Sequence, residues 1–387
     1  IIPNEFKILF FQSSLALQCF INEYIYEITD VEKENVNKLE QIVETYFLSG
    51  KQPKLSYIFC LASYKPLHSY WWSNLLKIPE EFIDINKQMI KDKIEEQTIS
   101  KKIQTLVKIS DCVSQKVRDQ YEMNPYPKWE LVDLPLKSYT INELIRNCEL
   151  KIFDRKIETI TSPNILIAGC GTGQQSINTS RKFKNSKLLA IDLSLNSLSY
   201  AKRKTEEIGI NNIEYIHADI LDLHRLQKKF HIIECVGVLH HMNKPDLGWK
   251  KLVDHLEPGG LMKIGLYSKL ARLDITKIKL EIDKLKINTD LVSMKIFRNK
   301  IISSCEHHHK KMIKIQDFYN MSNFRDLLFH TQETHFTILE IKEHLSNLGL
   351  KFCGFEDTKN NNKFETKFKI FDDRYDLKKW HNFEVDN

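Results

Sequence analysis

Two hydrophobic rhythms divide the chain. From about Leu15 to Leu106 apolar residues recur at three- and four-residue spacing, as in Leu39, Ile42, Val43, Tyr46 and Phe47, and this predicts amphipathic helices. Lys51-Gln52-Pro53 and Ile78-Pro79 punctuate them, with a further turn at Tyr64-Lys65-Pro66, because the residue before a proline is pushed out of the helical region. No repeat of helical-array length is visible. From Pro163 the rhythm changes to short apolar runs alternating with helical stretches, the signature of βα units and a parallel sheet. Strands are predicted at Asn164–Ala168, Lys187–Ile191, Ile213–His217, His231–Val236, Leu261–Tyr267 and Leu350–Phe355. Between the last two, Ser268–Thr337 is too long for a simple connection and reads as an inserted helical cap. The expected organisation is an N-terminal helical domain over 1–110, a connecting lid segment over 111–160, and an α/β domain over 161–387, doubly wound and mostly parallel, with the insertion at about 268–337.

A chain of 387 residues is the right length for two domains, and 42% apolar with 28% charged residues fits a folded rather than a disordered one. The net charge of +6 comes from lysines scattered along the sequence, which points to compositional bias rather than a nucleic-acid face. The eight cysteines form no C-x-x-C pair, so no zinc knuckle or redox motif is present, and a reducing cytoplasm is the expected setting. No run approaches the roughly 20 apolar residues of a membrane span. The stretch Ile1–Leu17 has an apolar patch without a basic leader, so the chain reads as a fragment entering mid-domain.

The chemistry concentrates in the first βα unit. Ile165-Leu166-Ile167-Ala168 runs into Gly169-Cys170-Gly171-Thr172-Gly173 and then a helix. Glycines permit positive φ and close backbone approach to a ligand, and the helix start suits an anionic group. A dinucleotide fingerprint would need a third glycine where Gln174 stands, and a phosphate-binding P-loop would need Gly-Lys where Gly173-Gln174 stands, so neither fits. The second strand ends at Asp192, where a carboxylate can accept from both hydroxyls of a ribose. The third ends at His217-Ala218-Asp219-Ile220, putting Asp219 on the same edge, placed to accept from an adenine amine, with Leu193 and Ile220 as apolar walls. The alternative for either aspartate is a helix N-cap. The fourth strand ends in Val236-Gly237-Val238-Leu239-His240-His241, where His240 and His241 are candidates for a general base.

Taken together, Ile165–Gly173, Ala190-Ile191-Asp192, Ala218–Leu221, Gly237–His241 and Leu256-Glu257-Pro258-Gly259-Gly260 resemble class I S-adenosylmethionine-dependent methyltransferases in order and spacing. Val117–Trp129, Asp317-Phe318-Tyr319 and Arg325–His330 further resemble a bacterial subfamily often found behind tetratricopeptide repeats. The resemblance implies a Rossmann-like fold and S-adenosylmethionine as cofactor. Its contacts are then expected from Gly169, Cys170, Gly171, Thr172, Gly173, Asp192, Leu193, Asp219, Ile220 and Val236. It also implies in-line attack by an unidentified acceptor, small molecule or protein, on the activated methyl. Two features depart from the pattern. Ile167 stands where many members carry an acid near the cofactor's amino group, and no seventh antiparallel strand is evident before Asn387, so the C-terminus is expected to be truncated.

Gln120–Trp129 is stiffened by Pro125 and Pro127 and loaded with Tyr121, Tyr126 and Trp129. These rings suit either a lid over a sulfonium or the packing between domains. A nucleic-acid methyltransferase is disfavoured, since Asn124-Pro125-Tyr126 lies upstream of the glycine loop and no Pro-Cys pair occurs. A non-catalytic cofactor-binding scaffold remains the alternative from another class, favoured by Ile167. Cys305 with His307-His308-His309 invites a metal, but adjacent histidines diverge and Lys310-Lys311 repels cations, so no metal is expected. Tyr70, Trp71 and Trp72 read as helical core or a domain interface.

Overall fold

The computed structural model describes residues 4–356, 358–368 and 370–387; Ile1–Pro3 of the apolar N-terminal patch lie outside them. The chain separates into two compact units, a helical one (1–101, 126–130 and 274–330) and a sheet-containing one (102–125, 131–273 and 331–387).

In the sheet unit, apolar runs flanked by helices form strands buried on both faces, as parallel sheets require. The strands are β1 (Gln104–Thr105), β2 (Asn164–Ala168), β3 (Lys187–Asp192), β4 (Ile213–His217), β5 (Phe230–Val236) and β6 (Leu256–Gly265). Their order across the sheet is β1-β4-β3-β2-β5-β6, and every pairing is parallel. The chain winds outward from β2 through β3 to β4, then crosses back to β5 on the other side of β2. That reversal opens a crevice beyond the carboxyl ends of β2 and β5, the usual ligand position in an open α/β sheet. The core beneath it includes Leu166, Leu189, Ile191, Phe230, Ile233 and Trp249. Helices follow the strands at Gln174–Lys182, Leu195–Glu207 and Pro245–Asp254, the last begun by a proline at its first turn, where the missing N–H costs nothing.

Two sequence expectations change. Leu350–Phe355 is not a strand; Phe352 and Phe355 instead pack against Phe364 and Trp380 in a separate aromatic cluster, removing the run from the sheet. The sheet's edge is held by Gln104–Thr105, two polar residues with no apolar run to announce them, registered on Ile216 and His217.

Among its described residues the helical unit shows two cores. The first surrounds Phe47, Phe59, Trp72 and Phe82, with Trp72 stacked on Phe47 at 5.0 Å and on Tyr70 at 4.6 Å between ring centroids. Trp71, by contrast, is 55% exposed, its indole donating to Glu44. The second joins Ile25 to Ile278, Met294, Phe297, Met312, Phe318 and Phe324. Glu23 ties the segments together, its carboxylate accepting from Ser322 N at 2.6 Å and Ser322 Oγ at 2.7 Å. The stretch expected as an insertion of the sheet domain thus packs, over 274–330, with the N-terminal helices.

Candidate active site

The glycine loop is backbone geometry first. Gly169, Gly171 and Gly173 adopt φ of +76°, +53° and +87°. A Cβ on Gly169 would lie 2.3 Å from a Val238 methyl, and one on Gly173 2.5 Å from Ala201 Cβ, so neither position admits a side chain. Gly169 N and Cys170 N both donate to Ile191 O at 2.9 Å, tying the loop to β3. Gly173 then starts the helix Gln174–Lys182 in the left-handed region.

Asp192 joins the loop to the next helix. Its Oδ2 accepts from Gly171 N at 2.7 Å and its Oδ1 from Ser194 N at 2.9 Å. The Leu193 N–H favours the ionised carboxylate as well, so three backbone donors fix its position and only part of its acceptor capacity stays open. Desolvation, with the nearby Glu122 charge adding to it, pushes the carboxyl up to about 6 despite these donors. Glu122 itself caps the helix Leu195–Glu207, accepting from Leu195 N at 2.5 Å and Asn196 N at 3.1 Å. Ser194, that helix's N-cap, donates through Oγ to Tyr121 O at 3.2 Å. Tyr121 is therefore brought beside Asp192, whereas Tyr126 and Trp129 belong to the helical unit.

Asp219 is partly committed elsewhere. Its Oδ1 accepts from Leu221 N at 2.9 Å, capping the short helix Ile220–Leu226, and the Ser114 hydroxyl also donates to the carboxylate. Burial holds its carboxyl above the usual range. The N-cap alternative raised by the sequence is the geometry observed. Leu193 is fixed by its carbonyl, which accepts from His217 Nε2 at 2.9 Å, while Thr105 Oγ1 lies 3.1 Å from His217 Nδ1. Cys170, Thr172 and Ile220 are buried, and Val236 is exposed at the end of β5.

His240 and His241 occupy the short turn Leu239–His241 after β5, both buried. His240 stacks on Tyr267 with ring centroids 3.8 Å apart, and its carbonyl accepts from Thr334 N at 2.7 Å. His241 Nδ1 donates to Gln332 O at 2.8 Å, so Nε2 is the basic nitrogen of the neutral ring. The Arg272 guanidinium lies 3.3 Å from the Tyr267 ring centroid, on the face of a ring that also meets His240. Tyr267 is the last residue of the strand predicted at Leu261–Tyr267 and lies two residues past the observed end of β6, so its strand-end position was a usable signal; Arg272 has none.

Ile167 is fully buried, and its register partner on β5 is Glu234, itself only 3% exposed. Partners in a parallel register share a face, so an acid stands one strand over from the position where the sequence reading missed it. Glu234 Oε2 accepts from Gln175 Nε2 at 2.7 Å and Thr179 Oγ1 at 2.8 Å, pinning the helix that the glycine loop opens.

A methyltransferase-domain family model matches residues 165–260, from within β2 into β6. That segment carries a methyltransferase domain. An uncharacterized protein of Synechococcus is 26% identical over 286 residues, 71% of this chain and 68% of that protein. The (S)-coclaurine N-methyltransferase of Thalictrum flavum is 23% identical over 113 residues, 29% of this chain and 31% of that enzyme. Among solved structures, PKMT2 from Rickettsia typhi in complex with AdoHcy is similar with a TM-score of 0.46 and 19% identity, covering 66% of this chain and 53% of that one. S-adenosylmethionine is the cofactor that the sequence resemblance implies. The site fits it, with a loop that leaves no room for a Cβ at Gly169 or Gly173 and a carboxylate fixed by backbone donors at the sheet edge. No helix among the described residues is long and apolar enough to cross a membrane.

Proposed function

We propose that this chain methylates a nucleophile that sheds a proton on transfer, a small molecule or a protein side chain, with His241 as the proton acceptor. When bound, the cofactor supplies an electrophilic methyl group on a sulfonium. In this reading the chain's own residues do the rest. Gly169, Cys170, Gly171, Thr172 and Gly173 form the floor under the cofactor's amino-acid end, Asp192 grips the ribose, and Leu193, Asp219, Ile220 and Val236 line the adenine side. Asp219, with Oδ1 occupied by its helix cap, offers the adenine amine its remaining acceptor capacity. Glu234 acts on the amino-acid end indirectly, by holding Gln175 and Thr179 and so fixing the helix start. In this reading Tyr121, whose carbonyl accepts from Ser194 Oγ, closes the ribose end.

The observation that carries the reading is the Gly171–Asp192 hydrogen bond, which joins loop and carboxylate into one preformed grip. His241 is favoured over His240 as base because its Nδ1–H is fixed on Gln332 O, which sets the tautomer, while His240 is wholly buried against Tyr267. The reducing cytoplasm is the proposed setting, in keeping with eight free cysteines. The test is calorimetric titration with S-adenosylmethionine, followed by transfer of a labelled methyl group to metabolite and protein pools. Cofactor binding without labelled product in any pool would leave the non-catalytic scaffold reading standing.

A further inference from the structure

Away from the methyltransferase crevice, the helical unit gathers a second set of chemistry-bearing side chains. The triplet His307-His308-His309 opens the helix His307–Met312, and its buried face is set by His309 and Met312, three residues apart, at 2% and 1% exposure. Facing it is the helix Leu273–Leu285, which contributes Glu281. His308 Nε2 lies 2.5 Å from Glu281 Oε1, and His309 Nε2 lies 3.2 Å from Glu281 Oε2. The three ligand atoms all fall within 4.8 Å of one another. The two rings do not diverge as neighbouring histidines on a regular helix would; their centroids are 4.4 Å apart. Cys305 and His307, the other members of the sequence cluster, are exposed and stand outside the group.

The orientation of His309 is set from behind. Its Nδ1 meets Ser304 Oγ at 2.8 Å, and that oxygen also accepts from Glu306 N at 3.1 Å. With Nδ1 engaged there, Nε2 faces the Glu281 carboxylate from a buried position. A tetrahedral ion with donors at about 2.0 to 2.2 Å places those donors about 3.3 to 3.6 Å apart. The His309–Glu281 separation of 3.2 Å is close to that value already, and the His308–Glu281 pair needs to open by about 1 Å. The cationic neighbourhood is weaker than the sequence suggested, because Lys311 is paired with Asp274 at 2.8 Å.

We propose that Glu281, His308 and His309 bind a single divalent transition-metal ion of the zinc type, with water as the fourth ligand, clipping the helix Leu273–Leu285 to the helix His307–Met312. The ligands are one carboxylate and two imidazoles, the donor set that selects zinc over magnesium or calcium. Ser304 acts as the outer partner that orients His309, as hydrogen-bonded groups behind metal-ligating histidines do.

The test uses the whole chain, stripped with a chelator and titrated with Zn²⁺ and, separately, with Co²⁺. The expected result is one equivalent of tight Zn²⁺ binding, a tetrahedral visible spectrum with Co²⁺, and a rise in melting temperature on adding Zn²⁺. Glu281→Gln and His309→Ala should each weaken binding by more than about 100-fold, beyond the ~10- to 100-fold typical of changes behind the ligands. Cys305→Ser and His307→Ala should bind as the parent does. Should His309→Ala fail to fold, His308→Gln, on the more exposed side, reads the same loss. Affinity for S-adenosylhomocysteine should be the same in Glu281→Gln as in the parent, which separates this site from the methyltransferase reading. Absence of a stoichiometric site, an octahedral Co²⁺ spectrum, or undiminished binding in Glu281→Gln would overturn the proposal.

Discussion

Cofactor affinity should depend on pH through Asp192. In the free protein, desolvation and the Glu122 charge hold its carboxyl at about 6, against 3.8 for the unperturbed group. A raised pKa in the folded state contributes stability that is fully present below the unfolded value and is lost as pH rises through the folded one. At neutral pH the ionised carboxylate is thus a burden on the free protein. Ribose hydroxyls donating to it favour the ionised form, so binding pulls the pKa back down. If it returns to its ordinary value, the linked free energy is about 3 kcal/mol, at 1.36 kcal/mol per pH unit. With a pKa of about 6, roughly nine-tenths of the groups are ionised at pH 7 and roughly one-tenth at pH 5. The dissociation constant for S-adenosylhomocysteine should therefore rise about tenfold between pH 7.5 and 5. Calorimetric titration at half-unit steps measures this, and the rise in melting temperature on adding ligand should be larger at pH 7.5 than at pH 5. Asp192→Asn should bind about tenfold or more weakly at pH 7.5 and lose the pH slope. A flat profile in the parent, or the same slope in Asp192→Asn, would refute the assignment.

Glu122→Ala removes a carboxylate from the start of the helix Leu195–Glu207, a loss of about 0.5 to 2 kcal/mol by thermal melting, and should shift the midpoint of the pH profile downward, since its charge helps raise Asp192. Gly173→Ala forces a Cβ to 2.5 Å from Ala201 at φ +87°, and should cost about 2 to 4 kcal/mol, read as a drop in melting temperature; an unchanged melt would mean the helix can shift aside. Once an acceptor is identified, His241→Asn should lower kcat by about 100- to 10,000-fold while leaving S-adenosylhomocysteine affinity and melting temperature close to those of the parent. An equal loss in binding would mark the residue as structural.

Four strand predictions meet the structure within a residue at each end, at Asn164–Ala168, Lys187–Asp192, Ile213–His217 and Phe230–Val236, because buried parallel strands are written as continuous apolar runs. The glycine loop and Asp192 were legible for a related reason: positive φ and a strand-end carboxylate leave residue-type signatures. What sequence could not reveal depends on partners far apart in the chain. Leu350–Phe355 has strand-like composition, yet its phenylalanines find Trp380 rather than the sheet. Ile167 looked like a missing acid because Glu234 lies 67 positions away in sequence and beside it only through the β2–β5 register. The convergence of His308 and His309 likewise needs Glu281 from another helix.

The helical unit's second core also bears on how the protein is made. Ile25, 1% exposed, is sheltered by side chains lying between Ile275 and Phe329. At about 5 to 20 residues per second, a ribosome needs roughly 10 to 50 s to travel from Ile25 to Ile275. During that interval the early helices can complete only their first core, around Trp72 and Phe59, and Ile25 waits uncovered while the sheet is synthesised. Truncating the nascent chain before residue 274 should therefore leave a binding surface for chaperones that the finished protein lacks, and this core closes only when the later segment meets the earlier one.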